Sequence, residues 1–199
     1  MNTFVLKTDI LGEQLGEDLF FQLCAEHRDL RFERNHKREI LIMAPTGSET
    51  GRYNFRIYLP LGIWNEKHNL GVAFDSSTGF TLPNGAIRSP DFSWIPHDKW
   101  NNLSKTQQEK FAPICPDFVI ELRSASDGLK PLQEKMEEYI HNGSRLGWLI
   151  DLRNQKVYVY EEQKDADSPC LTSIVEDFDA KLSGGTVLPD FEFDLKVLK

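Results

Sequence analysis

The sequence has few cysteines and no long apolar run. Its three cysteines, Cys24, Cys115 and Cys170, are widely and unevenly spaced, which argues against a disulfide framework and a CxxC zinc site, so we expect buried free thiols. No apolar run reaches the roughly 18 residues that a membrane-spanning helix needs. The N-terminal stretch MNTFVLKTDI lacks the features of a signal peptide. We therefore expect a soluble, cytoplasmic protein that makes no contact with a membrane.

The motifs of several common enzyme classes are also missing. There is no GxGxxG or P-loop sequence for a nucleotide cofactor and no GxSxG nucleophile elbow. The five histidines show neither metal-ligand spacing nor an evident catalytic triad. A net charge of −8 argues against a protein that binds nucleic acid with its whole surface, although residues 27–38 form a local basic cluster.

The residues that are present predict one globular domain spanning residues 1–199. Hydrophobic residues make up 40% and charged residues 27%, the usual balance of a globular protein. The spacing of apolar residues predicts helices over residues 13–26, 52–69 and 127–143, and Pro60 should kink or divide the second. Strands are expected in RFERN, EILIMAP, residues 71–82, AIRSPDFSWIP, PDFVIELRS, GWLIDL and KVYVYE, with a hairpin turn at TGSETG and a polar loop over residues 163–168. This order indicates an α/β or α+β domain with a mixed sheet.

One predicted strand, PDFVIELRS, carries a carboxylate on the face opposite its apolar residues. Alternate residues of a strand share a face, so Phe118, Ile120 and Leu122 point one way while Glu121 and Arg123 point the other. The helix predicted over residues 127–143 follows directly. Its apolar stripe is a candidate cover for this part of the sheet.

The segment SPDFSWI shows the same pattern and places a second carboxylate, Asp91, on a polar face. Two carboxylates on neighbouring strands repel each other unless a cation or a proton neutralises them. Mg²⁺ prefers such oxygen ligands and can orient water for attack on a phosphodiester. Two alternatives stay open from spacing alone: a pair of unrelated, solvated acids, and the less favoured carboxylate pair of a glycosidase.

A lysine lies at the edge of the helix stripe. Lys135 could reach over the sheet towards Glu121 and there position water or offset phosphate charge, while Glu134 and Glu138 are expected on the exposed side. Arg123 could also offset phosphate charge. The alternative for Lys135 is a surface lysine whose stem covers apolar residues.

Four blocks of the sequence resemble a bacterial family of restriction-endonuclease-like proteins in the PD-(D/E)xK nuclease superfamily. The resemblance extends from about Phe20 to the C-terminus. The blocks are MAPTGSETGRYN, FDSSTGFTLPNGAIRSPDFSWI, FAPICPDFVIELRSASDGLKPLQEKMEEYIHNG and LGWLIDLRNQKVYVYE.

This resemblance implies a restriction-endonuclease-like fold, a central mixed sheet flanked by helices, and Mg²⁺- or Mn²⁺-dependent cleavage of DNA. The motif maps onto Pro90–Asp91 and Glu121, with the Leu122 carbonyl as a backbone ligand and Glu33 completing the metal site. The second Pro-Asp pair, Pro116–Asp117, is interpreted as structural or supporting. By analogy with enzymes that cut both strands, a homodimer is also expected.

The sequence departs from the family motif at one position. Arg123 stands where a lysine is expected, and arginine cannot act as a base. Lys135 resembles the relocated lysine found in parts of the superfamily. The leading hypothesis is therefore a metal-dependent endonuclease in which Lys135 or Arg123 supplies the positive charge. The alternative is a catalytically inactive nucleic-acid-binding or regulatory module with the same fold.

Overall fold

Helices are interspersed among the strands along the chain. The structure is a computed structural model that describes residues 4–7, 15–125, 127–163, 165 and 170–199. Within these residues the helices are α1 (Glu17–Glu26), α2 (Ser48–His68), α3 (His97–Trp100), α4 (Lys105–Gln108) and α5 (Leu129–His141), and a 3₁₀-helix spans Leu195–Leu198. The strands are β1 (Phe4–Leu6), β2 (Arg31–Arg34), β3 (Ile40–Met43), β4 (Gly71–Asp75), β5 (Phe80–Thr81), β6 (Ile87–Arg88), β7 (Phe92–Pro96), β8 (Phe118–Leu122), β9 (Leu146–Asp151), β10 (Lys156–Glu161), β11 (Leu171–Val175), β12 (Lys181–Ser183) and β13 (Glu192–Asp194). None of the described helices is both long and apolar enough to cross a membrane.

A six-stranded mixed sheet forms the centre of the fold. Its strand order is β11-β10-β9-β8-β7-β4, in which β8 and β9 are parallel and the other neighbours are antiparallel. The parallel pair requires a crossover connection, and α5 supplies it between β8 and β9. This arrangement confirms the predicted mixed sheet and the helix that follows β8.

Helices cover both faces of the central sheet. On one face, α2 buries Ile57, Leu61 and Trp64 against a core that includes Phe118 and Ile120 of β8. On the other face, α5 buries its own apolar stripe, Met136, Tyr139 and Ile140, against a second core that includes Val119 and Leu149. The alternation predicted for β8 is therefore present, and the face that carries Glu121 lies beneath α5 as expected.

A second sheet, with strand order β1-β3-β2-β6-β5, lies beside the first. The segment AIRSPDFSWIP, predicted as one strand, contributes to both sheets, because β6 belongs to the second sheet and β7 to the central one. The residues Ser89–Asp91 connect the two strands. This crossing from one sheet to the other brings residues of β2 and β6 close to the end of β8.

The predicted hairpin turn at TGSETG is wrong, because Ser48–Gly51 form the first turn of α2. Gly47 is extended and caps the helix, and Glu49 in the first turn interacts favourably with the helix dipole. The helix then runs undivided through Pro60, since its buried apolar residues hold it against the sheet on both sides of the proline.

The edge strands β1 and β11 were not predicted. Most of the polar loop expected over residues 163–168 lies outside the described residues. The three cysteines are free, with Cys115 and Cys170 buried as expected and Cys24 half-buried.

Candidate metal-binding nuclease site

Asp91 lies at the end of the connection into β7 and reaches across to β8. The antiparallel register pairs Phe92 with Ile120, so Asp91 lies beside the C-terminal end of β8. Its Oδ2 accepts a hydrogen bond of 2.8 Å from the Leu122 N–H. From α2, the Tyr58 hydroxyl donates a 2.7 Å hydrogen bond to the Asp91 carbonyl. Both the backbone and the carboxylate of Asp91 are thus held in position.

Glu121 occupies the next strand and faces α5. Its side chain is only 6% exposed. Oε1 accepts a 3.0 Å hydrogen bond from the Tyr139 hydroxyl and lies 2.8 Å from the Lys135 Nζ. Tyr139 follows Lys135 by four residues, so both project from one face of α5 towards the same carboxylate. The sequence pattern indicated Lys135 here but assigned Tyr139 only to the apolar stripe.

Lys135 bridges two acids from different sheets. Its Nζ lies 2.8 Å from the Glu33 Oε1 and 2.8 Å from the Glu121 Oε1. Glu33 projects from β2 of the second sheet. The ammonium therefore links the second sheet to the central sheet, and its side chain is 13% exposed.

Both oxygens of Glu33 are engaged by protein groups. Oε1 accepts a 3.0 Å hydrogen bond from the Ser89 N–H in addition to its contact with Lys135. Oε2 accepts a 3.0 Å hydrogen bond from Nη1 of Arg88 on β6. Arg88 in turn pairs with Glu138, at 2.6 Å from its Oε2.

This network corrects the expected position of Glu138. The helix pattern indicated a solvated acid, but the side chain is only 10% exposed and its Oε1 lies 3.3 Å from Nδ1 of His36. Arg88 was missed altogether, although it stands two residues before the Pro90–Asp91 motif. Its contacts depend on pairing between β2 and β6, which a local sequence pattern does not reveal.

Arg123 lies apart from this cluster. It follows the last residue of β8, so the alternation of strand faces no longer fixes its direction. Its Nη1 donates a 2.6 Å hydrogen bond to Asp151 Oδ2, and its Nε donates one of 3.0 Å to the Asp127 carbonyl. Asp117, at the other end of β8, pairs with Lys99 at 2.9 Å.

Burial and mutual repulsion favour protonation of the two candidate ligands. Burial raises the pKa of Glu121 to about 7, with the negative charge of Asp91 adding to the rise and Lys135 opposing it. Burial also raises the pKa of Asp91, and the hydrogen bond from Leu122 opposes that rise. A bound cation would remove this repulsion, which is the electrostatic property expected of a pair of metal ligands.

The two remaining charged groups keep their charges. Burial acts to raise the pKa of Glu33, but Lys135 and Arg88 outweigh burial and lower it to about 2. Burial also disfavours the charged form of Lys135, yet Glu121 and Glu33 raise its pKa, so the ammonium stays protonated at neutral pH.

A cavity of about 400 Å³ opens over the cluster. Its lining includes Arg31, Glu33, Asp91, Glu121 and Lys135. Among the residues that the structure describes, no three His, Cys, Asp or Glu side chains are arranged to hold a metal ion by themselves. Two carboxylates completed by carbonyl, water and phosphate oxygens are nevertheless a ligand set typical of Mg²⁺, so the donors present fit that ion.

Comparisons with known proteins agree with this architecture. Residues 17–196 match the model of the Uma2 family, which is described as "Putative restriction endonuclease". Among solved structures, the chain is similar to the crystal structure of "a putative nuclease belonging to DUF820" from Anabaena variabilis. The TM-score is 0.67 at 20% identity, over 84% of this chain and 88% of that one, which confirms the restriction-endonuclease-like fold. No curated protein matches.

Proposed function

We propose that this chain, which belongs to the Uma2 family of putative restriction endonucleases, is a metal-dependent endonuclease that hydrolyses phosphodiester bonds in DNA. One observation carries the proposal. Asp91, immediately before β7, and Glu121, on the adjacent antiparallel strand β8, line the same cavity, and Lys135 contacts Glu121 there. Withdrawing two acids from water beside a fixed ammonium costs stability, and titratable groups perturbed in this way cluster at functional sites.

Asp91, Glu121 and the Leu122 carbonyl are the groups that would hold Mg²⁺ or Mn²⁺. Such an ion, when bound, supplies an activated water and neutralises charge that develops on the phosphate. The Leu122 N–H keeps one Asp91 oxygen directed towards β8. The Tyr139 hydroxyl keeps the Glu121 carboxylate directed into the cavity.

Lys135 acts as a cation rather than as a base. Because Glu121 and Glu33 raise its pKa, its ammonium has no free electron pair with which to accept a proton at neutral pH. It can donate hydrogen bonds to the attacking water or to a phosphate oxygen. It thus replaces the lysine that the family motif would place at position 123, whose arginine is paired with Asp151.

Glu33 positions Lys135 in this proposal. The family resemblance implied that Glu33 would be a further metal ligand, but Arg88, Ser89 and Lys135 already engage both of its oxygens. A carboxylate held in this way fixes the Lys135 ammonium beside the Glu121 carboxylate. Its lowered pKa keeps it charged over the pH range in which a nuclease would work.

Lys135 also favours the enzyme over an inactive module. A binding protein of this fold would have no need for a buried ammonium held between two acids, since an exposed lysine serves phosphate contact equally well. The lysine that the motif lacks at position 123 is supplied from α5, as Lys135, beside Glu121.

A cleavage assay tests the proposal. The purified protein is incubated with supercoiled plasmid, linear duplex DNA and an RNA duplex of the same sequence, with Mg²⁺, Mn²⁺ or EDTA. We expect cleavage of DNA with either ion, no cleavage with EDTA, and no comparable cleavage of RNA. Intact DNA under every ionic condition would contradict the proposed activity.

A further inference from the structure

One face of α2 carries a stripe of exposed apolar side chains. Phe55, Leu59 and Ile63 follow one another at intervals of four residues, so they form a single row along the helix. They are 65%, 53% and 62% exposed, while the opposite face of the same helix is buried in the core. A contiguous row of large apolar side chains in water is costly and marks a surface for association.

The charges at the two ends of the row are of opposite sign. Arg52 lies two helical turns before Leu59, and Glu66 lies two turns after it. Both side chains belong to exposed residues. Arg52 contacts Glu49 of its own chain at 2.5 Å but is still 44% exposed, so its guanidinium can donate hydrogen bonds to a second carboxylate.

The row is complementary to itself. If two copies of α2 lie antiparallel about an axis at Leu59, Phe55 meets the partner's Ile63 and Arg52 meets the partner's Glu66. Each of these contacts then occurs twice, as two-fold symmetry requires. Gly62 lies beside the row and leaves open space where a side chain would be, which lets a second helix approach closely.

We propose that this face of α2 is the interface of a homodimer, with the two helices antiparallel about a two-fold axis near Leu59. A second copy explains the row better than an unrelated protein. Read from Leu59 in opposite directions, the helix presents an apolar residue at four positions and opposite charges at seven positions, so two antiparallel copies complement each other. The inference does not depend on nuclease activity.

The contact is modest in extent. At 1.5 Å per residue, α2 is about 30 Å long, and one helix pair lies at the small end of stable interfaces. We therefore expect a reversible dimer with a dissociation constant in the micromolar range. Sedimentation equilibrium of the full chain over a wide concentration series measures it directly.

Leu59→Glu is the first test. It places two carboxylates on the two-fold axis, so we expect dimerisation to weaken at least tenfold, the loss of about 1.4 kcal/mol. The matched control is Leu19→Glu on α1, a leucine of similar exposure at 49%, which should leave the dissociation constant unchanged. Circular dichroism and thermal melting should show that both variants fold as the wild type does.

Charge exchange is the second test, and it identifies the pairing. Arg52→Glu and Glu66→Arg should each weaken the dimer, because each one puts like charges opposite each other twice. The double variant, Arg52→Glu with Glu66→Arg, should restore it. Arg52→Glu also removes the contact with Glu49, but that loss is common to the single and the double variant.

Three results would overturn the proposal. A wild-type chain that stays monomeric throughout the series would assign the face to a different partner. A dimer that Leu59→Glu does not weaken would place the interface elsewhere. A double charge variant no tighter than the single ones would exclude the antiparallel pairing. Because Mn²⁺ binding by Asp91 and Glu121 is measured separately, failure here is distinguishable from failure of the proposed nuclease function.

Discussion

Lys135 and Glu121 form an ion pair of 2.8 Å between α5 and β8. The helix supplies the positive charge that the motif would ordinarily supply from the strand itself. The Glu121 side chain is buried and that of Lys135 is only 13% exposed, so the pair is screened little by water or salt. The position of this ammonium beside a candidate metal ligand leads to the first prediction.

Lys135→Met is expected to lower DNA cleavage by at least about 100-fold, the usual effect of removing one charged group that stabilises a transition state. Lys135→Arg should retain part of the activity, since it keeps the charge but not the compact geometry of the ammonium. Initial rates of plasmid nicking measure both. The control is Lys130→Met on the same helix, where the lysine is 85% exposed, and its rate should equal that of the wild type.

Tyr139→Phe removes the hydrogen bond that the hydroxyl donates to Glu121. A hydrogen bond to the carboxylate favours its charged form, so its loss raises the pKa of Glu121 further above the usual range. We expect Mn²⁺ to bind about fivefold more weakly at pH 7, the equivalent of one lost hydrogen bond of about 1 kcal/mol. Calorimetric titration measures this change, and unaltered affinity would show that the hydroxyl does not act on the ligand.

Asp151→Asn tests the structural role of Arg123. Asp151 is fully buried, and its replacement leaves the guanidinium without a carboxylate, so we expect the free energy of unfolding to fall by about 3 kcal/mol at pH 7. Urea denaturation followed by circular dichroism measures the difference. The control is Asp179→Asn, which removes an exposed pair with Lys199 and should change stability little.

The effect of Asp151→Asn should depend on pH. Burial acts to raise the pKa of Asp151, but hydrogen bonds from Asn154 and Arg123 outweigh it and hold the pKa below 3.8. At pH values between the folded and the unfolded pKa, the unfolded chain binds more protons than the folded one. The ionised carboxylate therefore stabilises the fold fully above its unfolded pKa, and this stabilisation is lost as the pH falls through the folded pKa. The difference between wild type and variant should therefore shrink as the pH falls below about 4. A difference that grew on acidification would contradict the assignment.

The part of the site that depends on local periodicity could be predicted from the sequence. Alternation along PDFVIELRS placed Glu121 on the face beneath the following helix, and the spacing of Lys135 from the apolar stripe directed it towards the same face. Those relationships follow from the side-chain periodicities of regular structure, about 2.0 residues in a strand and about 3.6 residues in a helix, and need no knowledge of the whole fold.

The rest of the site depends on contacts that no local pattern contains. Arg88 meets Glu33 because β6 pairs with β2, and Glu138 is engaged by Arg88, Asn84 and His36, all of them distant in sequence. Arg123 lies just beyond the end of β8, at Leu122, and its guanidinium is engaged by Asp151, a partner that the alternation of β8 does not reveal. The start of α2 at Ser48 was missed because glycine and serine are common both in turns and at helix N-termini.

The most direct measurement compares DNA cleavage in Mg²⁺ by the wild type, Asp91→Asn and Glu121→Gln. Glu134→Gln, an exposed acid on α5, serves as the control. If Asp91 and Glu121 form one metal site, each of the two variants should lose at least about 100-fold in rate and should also lose Mn²⁺ binding, while the control cleaves as the wild type does. Equal cleavage by all four proteins would contradict the account.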